Sequence, residues 1–139
     1  MSHSRILVLL ACCMGAVGVG IGAMGAHGLP KYLAEQGIDP SLIPKKLADC
    51  ETAVRYHMIH ALAILSIGLS GWTDRNRLLR TAAWVLFLGV TLFSGGIYSI
   101  VFLQILGHWA IVPAGGTLMI LGWILAGVGA ISQKSNPNL

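Results

Sequence analysis

Histidine is the residue type with the widest chemical scope in this sequence, and two of the five histidines lie close together. His57 and His60 are three residues apart, so on a helix their side chains share one face. Neutral imidazoles that converge from different helices could bind a transition metal or ligate haem. Such a site would use the imidazoles of His27, His57, His60 and His108.

Tyrosine, serine and charged side chains accompany these histidines. Tyr56 precedes His60 by four residues, and Glu51 and Arg55 lie about a turn earlier. At the edge of a bilayer such groups could relay protons or admit a small solute, or they could only cap helix ends among the lipid headgroups. All these alternatives use one candidate polar site, which comprises His27, Glu51, Arg55, Tyr56, His57, His60, Ser94, Tyr98 and His108.

Motifs for catalysis and for cofactors do not occur in the sequence. It has no H-E-x-x-H, no C-x-x-C-H and no zinc-ligand spacing, and it shows no nucleophile–base pair or pair of acids. We therefore predict that the protein is not an enzyme and carries no cofactor. The predicted spans have no carboxylate or amine in their cores, which argues against an ion-coupled pump.

The distribution of charge indicates which elements must position these residues. Only 10% of the residues are charged, against roughly 25% in soluble domains, and 55% are hydrophobic. No Asp, Glu, Lys or Arg occurs in residues 6–30, 56–73 or 81–133. These values exclude a disordered tail, a disulfide scaffold and an ordinary water-soluble domain, and they predict a membrane protein.

The charge-free stretches predict four membrane spans. A crossing helix needs about 20 apolar residues, so the last stretch is long enough for two crossings. The expected break is offered by Gly107, His108, Trp109 and Pro113; proline lacks a backbone N–H and disfavours helix at the preceding residue, Val112. The prediction is an all-α membrane protein, a four-helix bundle in one domain over residues 1–139, with spans at about 6–26, 53–72, 81–106 and 114–132. An even number of spans places the four histidines at one membrane face.

The polar segment between the first two spans is predicted to be partly helical. Leu29-Pro30 is expected to end the first helix, and Asp39-Pro40 to supply the N-cap and the first-turn proline of a new one. From Lys45 onward, a helical segment with a modest apolar stripe is expected to lie at the membrane interface and to run into the second span.

Glycines recur at steps of three and four in the first span and more sparsely in the fourth. Membrane helices associate by close packing, which small residues allow. We expect these glycines to pack within the chain rather than to form a dimer seam, and the two faces are candidates to pack on each other. The predicted packing residues are Gly15, Gly18, Gly22, Gly25, Gly115 and Gly122.

Positive charge predicts the orientation and the partners. With the N-terminus inside, the cytoplasmic side carries five Lys or Arg residues and the other side four. The group Arg75, Arg77 and Arg80 in a short loop favours both termini in the cytoplasm. The net charge of +4 is spread over membrane loops, so nucleic acid is not an expected partner. The expected partners are the lipid bilayer and a second copy of the chain or another membrane protein.

Four motifs resemble those of one family of small membrane proteins. They are GAHGL at residues 25–29, ETAVRYHMIHALA at 51–63, LFSGGIY at 92–98, and PAGG at 113–116 followed by Gly122-Trp123. Together they resemble the YgdD/YwdK-like inner-membrane proteins, classed as domain of unknown function number 423. The resemblance implies four transmembrane helices, a bacterial inner-membrane location and no established activity. Its motifs fall on His27, Tyr56, His60, Ser94, Tyr98, Pro113 and Gly116, whereas residues 37–44 look longer than the family's usual connection and Gly96 stands where serine is typical.

The sequence leads to three functional hypotheses for a multi-pass inner-membrane protein. The first is a small binding or interaction module whose polar end gathers His27, Arg55, Tyr56 and His60. The second is a translocator of a small solute or ion, which would need an oligomer because four short helices leave little room for a pore. The third is a metal- or haem-binding membrane protein.

Overall fold

The computed structural model describes residues 2–105 and 110–132, which form five α-helices and one 3-10 turn. In chain order the elements are α1 (His3–His27), α2 (Leu29–Glu35), the 3-10 turn (Pro40–Leu42), α3 (Ile43–Leu69), α4 (Arg77–Phe102) and α5 (Ile111–Ile131). Helices α1, α3, α4 and α5 are long and apolar enough to cross a membrane. The predicted all-α fold with four spanning helices is confirmed.

The second span differs most from its predicted bounds. α3 begins at Ile43 and ends at Leu69, whereas the hydropathy pattern predicted a span from 53 to 72. The early start is possible because Pro44 lies in the first turn of α3, where a missing N–H breaks no helical hydrogen bond. α3 thus includes the helical segment that was expected to lead from Lys45 into the span.

The first helix ends just before Leu29-Pro30, as predicted, but the pair also opens a second helix, which was not predicted. α1 ends at His27, and α2 starts two residues later with Pro30 in its first turn. This position suits proline, because its fixed φ matches a helix and its missing N–H is not needed there. The same pair can therefore follow one helix and open another.

The short helix α2 packs across the ends of α3 and α4. Leu29 and Leu33 are fully buried in a cluster that includes Cys50 of α3. The Tyr32 hydroxyl donates a hydrogen bond to the carbonyl oxygen of Phe102, the last residue of α4, at 2.9 Å. This packing holds the connection between the first two spans against the rest of the molecule.

The spanning helices pack in the order α1, α3, α4, α5. The expectation that the small faces of the first and fourth spans meet is wrong, because each of those helices packs mainly on its neighbour in this order. The α1 glycines Gly18, Gly22 and Gly25 approach Met58, Val54 and Cys50 of α3, respectively. The prediction was also wrong for Gly15, where an added Cβ would meet nothing within 4 Å.

The closest helix contact joins α4 and α5 through glycine. A methyl group added at Gly115 would lie 2.7 Å from the Gly89 carbonyl oxygen, and one added at Gly89 would lie 2.8 Å from the Met119 nitrogen. Further along α5, a methyl group at Gly122 would lie 2.6 Å from Leu86 Cδ2. The two backbones are therefore in contact, an approach that only glycine permits.

The loop between α3 and α4 is tied to the start of α1. The Ser4 hydroxyl is hydrogen-bonded to the Thr73 hydroxyl and donates to the Asp74 carboxylate at 3.0 Å. Burial raises the pKa of Asp74, but the hydrogen bonds from Ser4 and the nearby His3 outweigh it and hold this pKa below its usual value. The loop and the first turn of α1 therefore form one unit at the end of the molecule opposite α2.

Gly115→Ala is expected to destabilise the protein, because the new methyl group meets backbone atoms that have no room to move. Overpacking of this kind costs about 1–3 kcal/mol or more of unfolding free energy. Gly127→Ala on the same helix is the control, since nothing lies within 4 Å of its added Cβ. Thermal unfolding in lipid nanodiscs measures both, and equal stability of the two variants would contradict the proposed backbone contact.

Candidate functional site

The neighbouring histidines of α3 contact different helices, although they share one face. The Nδ1 atom of His57 lies 3.3 Å from the Tyr98 hydroxyl of α4. The Nε2 atom of His60 lies 3.2 Å from the Trp123 indole nitrogen of α5. Each histidine thus belongs to a separate group of side chains, and the two groups differ in how far their hydrogen bonds are satisfied.

Both ring nitrogens of His60 have a partner. Its Nδ1 lies 2.7 Å from the Tyr56 carbonyl oxygen, which can only accept, so Nδ1 carries the proton. Nε2 then accepts a hydrogen bond from the indole N–H of Trp123. This pattern requires neutral His60, which is only 3% exposed. His60 thus connects α3 to α5 through the hydrogen bond with Trp123.

Aromatic rings pack around His60. The Tyr56 ring is stacked on that of His60, with centroids 6.1 Å apart, and lies 4.9 Å from the Phe93 ring of α4. The Trp123 ring meets His60 edge-on. Aromatic pairs at such distances add about 0.5–1.5 kcal/mol beyond their area burial. The structure therefore gives Tyr56 and His60 a role in packing three helices together.

His57 is buried but incompletely satisfied. The residue is 9% exposed, and its Nε2 atom makes no well-aligned hydrogen bond within residues 2–105 and 110–132, although the Met14 backbone of α1 lies near the ring. Most buried polar atoms in folded proteins have a partner, so an exception needs an explanation. His57 thus has one buried ring nitrogen whose hydrogen-bonding capacity these parts of the chain leave unused.

A cleft of about 160 Å³ lies over His57, between α1 and α4. Met14, Val17 and Ile21 of α1 form one wall, and residues of α4 that include Ser94 and Tyr98 form the other. The Ser94 hydroxyl already donates to the Ala53 carbonyl at 2.9 Å, which joins α4 to α3. The Thr91 hydroxyl likewise donates to the Phe87 carbonyl, so the side-chain donor that remains in the cleft belongs to the pair His57 and Tyr98.

The other predicted site residues lie apart from these two groups. Arg55 and Glu51 form an ion pair at 2.8 Å on the surface, where their side chains are 64% and 72% exposed. His27, the last residue of α1, is exposed. His108 lies outside the described residues. The expected gathering of His27 and Arg55 with Tyr56 and His60 is therefore not seen.

The described histidines also do not form a metal centre. Within residues 2–105 and 110–132, no group of three or more His, Cys, Asp or Glu side chains could hold a metal ion. His57 and His60 turn to different partners, because Tyr98 and Trp123 lie on different helices. The arrangement of the described residues therefore does not support a metal site built from His27, His57 and His60.

A cavity of about 610 Å³ lies between α1, α2 and the start of α3. Glycine, alanine, proline and aliphatic side chains form most of its lining, and Glu51 is its one charged residue. Since Glu51 already pairs with Arg55, this cavity has no polar group that points to a ligand.

Sequence reasoning missed the role of Trp123, although Trp123 lies in one of the recognised motifs. Trp123 is 49% exposed, so the one signal that could have directed attention to it is its indole N–H, a donor that usually finds an acceptor where a spanning helix meets its neighbours. The choice of His60 as that acceptor depends on how α3 and α5 pack, and local spacing does not encode this arrangement.

Trp123→Phe is expected to destabilise the protein by about 1 kcal/mol, because it leaves His60 Nε2 without its donor. Trp84→Phe is the matched control, since Trp84 is 38% exposed and has no side-chain hydrogen bond within the described residues. Thermal unfolding compares the two variants. If Trp84→Phe costs as much as Trp123→Phe, loss of the indole hydrogen bond is not the cause.

Comparison with known proteins shows the family. The model of the family described as "Protein of unknown function (DUF423)" matches residues 21–116. The UPF0382 membrane protein YwdK of Bacillus subtilis is 38% identical over 132 residues, which cover 91% of this chain and 97% of the relative. A UPF0382 membrane protein of Haemophilus influenzae is 33% identical, covering 95% and 98%.

A third relative is a UPF0382 membrane protein of Staphylococcus saprophyticus, 36% identical over 90% of this chain and 96% of its own. No solved structure matches the chain. The family model covers more than half of the chain, and these relatives align with it over nearly their full lengths. The resemblance seen in the four motifs is confirmed, and the chain is a multi-pass membrane protein that belongs to the DUF423 family.

Proposed function

We propose that this membrane protein is a small binding module whose site is the cleft between α1 and α4. The observation that carries the proposal is the buried Nε2 atom of His57, which has no hydrogen-bond partner in the described residues. A buried polar atom without a partner costs about 1–3 kcal/mol. A ligand that supplies this partner recovers that free energy on binding, so the cleft favours a molecule with a hydrogen-bonding group.

The lining of the cleft supports an uncharged ligand. The walls are mainly aliphatic, and no Asp, Glu, Lys or Arg is among the lining residues. An ion would lose its hydration without gaining a counter-charge, whereas a carbonyl or hydroxyl group needs only one hydrogen bond. If the Tyr98 hydroxyl donates to Nδ1, the neutral His57 ring can donate at Nε2. If Nδ1 donates to Tyr98, Nε2 can accept.

The position of the cleft supports entry from the bilayer. Its walls belong to two spanning helices, and α4 residues such as Thr91 and Gly95 at its edge are exposed. An apolar tail would lie beside the helices in lipid, while the polar head reaches His57. The ligand class proposed is therefore an uncharged lipid-soluble molecule whose head carries a carbonyl or a hydroxyl group.

His57→Phe is expected to reduce photolabelling of the cleft about tenfold, because phenylalanine keeps the ring but loses Nε2; this factor corresponds to about 1.4 kcal/mol, within the range for one hydrogen bond. The probes are diazirine-bearing long-chain alcohol and ketone, with the matched alkane as the non-bonding comparison, applied to protein in nanodiscs. Thr91→Val is the control variant, since the Thr91 hydroxyl already bonds the Phe87 carbonyl.

Two outcomes would contradict the binding proposal. One is equal labelling by the alkane, and the other is unchanged labelling of a folded His57→Phe variant. If that variant does not fold, the ¹⁵N shifts of the wild-type histidines provide the test. The His57 Nε2 signal should move when the alcohol or ketone is added and should stay in place when the alkane is added.

The remaining hypotheses have separate tests. A translocator of a small solute or ion would need an oligomer, so a strict monomer in native-like lipid argues against it. A haem or metal protein would show a Soret band or stoichiometric metal after purification. Catalysis is not part of the proposal, because the sequence supplies no nucleophile–base pair or pair of acids.

We further propose a bacterial inner-membrane location with both termini in the cytoplasm. The support is the short loop with Arg75, Arg77 and Arg80, since Lys and Arg near span ends are retained on the cytoplasmic side. A fluorescent protein fused after Leu139 should then fluoresce. Alkaline phosphatase inserted after Gly37, an exposed position in the first loop, should be active. Exchanging the two reporters is the control, and activity only in the exchanged positions would reverse the orientation.

A further inference from the structure

The net charge of the protein is concentrated at one end of its helices. The end formed by α2 and the start of α3 is called here the paired face. It carries four basic and four acidic residues, so its formal charge is zero: Lys31, Lys45, Lys46 and Arg55, with Glu35, Asp39, Asp49 and Glu51. The opposite end, at the start of α1 and α4, carries Arg5, Asp74, Arg75, Arg77 and Arg80, a formal charge of +3.

Cations of the paired face are already engaged within the chain. Three of them form i,i+4 ion pairs, which are Lys31–Glu35 at 3.8 Å, Lys45–Asp49 at 2.9 Å and Arg55–Glu51 at 2.8 Å. The fourth, Lys46, donates to the Gln104 side chain at 2.9 Å and to the Ile100 carbonyl at 3.3 Å. This face therefore has little charge to offer an external anion.

The cations at the opposite end are not paired with acidic side chains, and this end is called here the arginine face. It consists of Arg5, Arg75, Arg77 and Arg80, with Asp74 as its one acidic residue. Within residues 2–105 and 110–132, none of these arginines lies within 4.0 Å of a carboxylate oxygen. Residues outside those ranges contain no Asp or Glu. No acidic side chain of the chain therefore neutralises these four guanidinium groups.

Asp74 does not compensate them, because it is used elsewhere. Its carboxylate accepts hydrogen bonds from the Ser4 hydroxyl at 3.0 Å and from the Ser4 backbone N–H at 3.4 Å. These bonds draw the start of α1 to the loop that carries Arg75. Arg5 therefore lies at the same end of the molecule as the other three arginines.

The backbone of the arginine face is held in place while its side chains remain accessible. The Asn76 side chain caps α4 by accepting from the Leu78 N–H at 2.9 Å, and it donates to the Gly129 carbonyl of α5 at 2.8 Å. Arg75 and Arg77 are exposed on either side of this cap. These two guanidinium groups are therefore accessible while the backbone that carries them is held in place, and Arg80 one turn later is half-buried.

We propose that the arginine face binds the phosphate headgroups of anionic phospholipids. The arginines lie at the ends of spanning helices, which is the depth at which headgroups lie, and their charge is opposite to that of the lipid phosphate. A guanidinium group can bind phosphate oxygens through two parallel hydrogen bonds. The paired face, equally rich in basic residues, does not recognise these lipids, because its cations are already paired.

The test compares two triple variants of the full-length protein in nanodiscs that contain phosphatidylglycerol and phosphatidylcholine. R75Q/R77Q/R80Q removes three cations from the arginine face, and K31Q/K45Q/R55Q removes three from the paired face. Native mass spectrometry counts the phosphatidylglycerol molecules retained. Each surface arginine contributes roughly a fivefold effect. The first variant should therefore lose retention at least tenfold and the second less than about threefold.

Two results would overturn the proposal. One is unchanged retention in R75Q/R77Q/R80Q, and the other is an equal loss in K31Q/K45Q/R55Q, which would show that total charge alone attracts the lipid. If R75Q/R77Q/R80Q does not fold, the single variants R75Q and R77Q, compared with K31Q and R55Q, replace it. Each variant of the arginine face should lose retention about fivefold and each variant of the paired face less than about twofold, and equal losses would also refute the proposal.

Discussion

Close contact between neighbouring helices is the constraint on which the rest of this structure depends. Lipid is as apolar as the side chains, so spanning helices gain little from the hydrophobic effect when they meet and must pack closely instead. Gly89 and Gly115 let the backbones of α4 and α5 touch, and Gly18 and Gly22 bring α1 onto α3. These contacts and the Ser94–Ala53 hydrogen bond, which joins α4 to α3, are part of the helix order α1, α3, α4, α5.

That helix order gives the two histidines of α3 different environments. His60 lies where α5 can reach it, and Trp123 completes its hydrogen bonds. His57 lies below the gap between α1 and α4, where the neighbouring walls are aliphatic and Nε2 has no partner among the described residues. One histidine thus stabilises the packing, while the other retains the hydrogen-bonding capacity on which a binding site depends.

Charge separates the two ends of the protein in a similar way. Along α2 and α3, acids placed four residues from bases allow cations to be neutralised within a helix, as in Glu51–Arg55. Arg75, Arg77 and Arg80 have no such acid nearby, and Asp74 is bound to Ser4. The binding cleft and the arginine face therefore rest on different residues and can be tested independently.

The number and nature of the spans could be predicted from the sequence, because crossing a bilayer requires about 20 apolar residues whatever surrounds them. The motifs that identify the family are likewise visible in the residues alone. Local spacing was insufficient for Leu29-Pro30, which suits the start of a helix as well as a stop, and for Gly15, which has the spacing of a packing residue but no neighbour. It also placed His57 and His60 on one face without separating their roles. Those roles depend on Tyr98 and Trp123, about 40 and 60 residues away in the chain, and only the packing of the helices brings such distant side chains within hydrogen-bond distance.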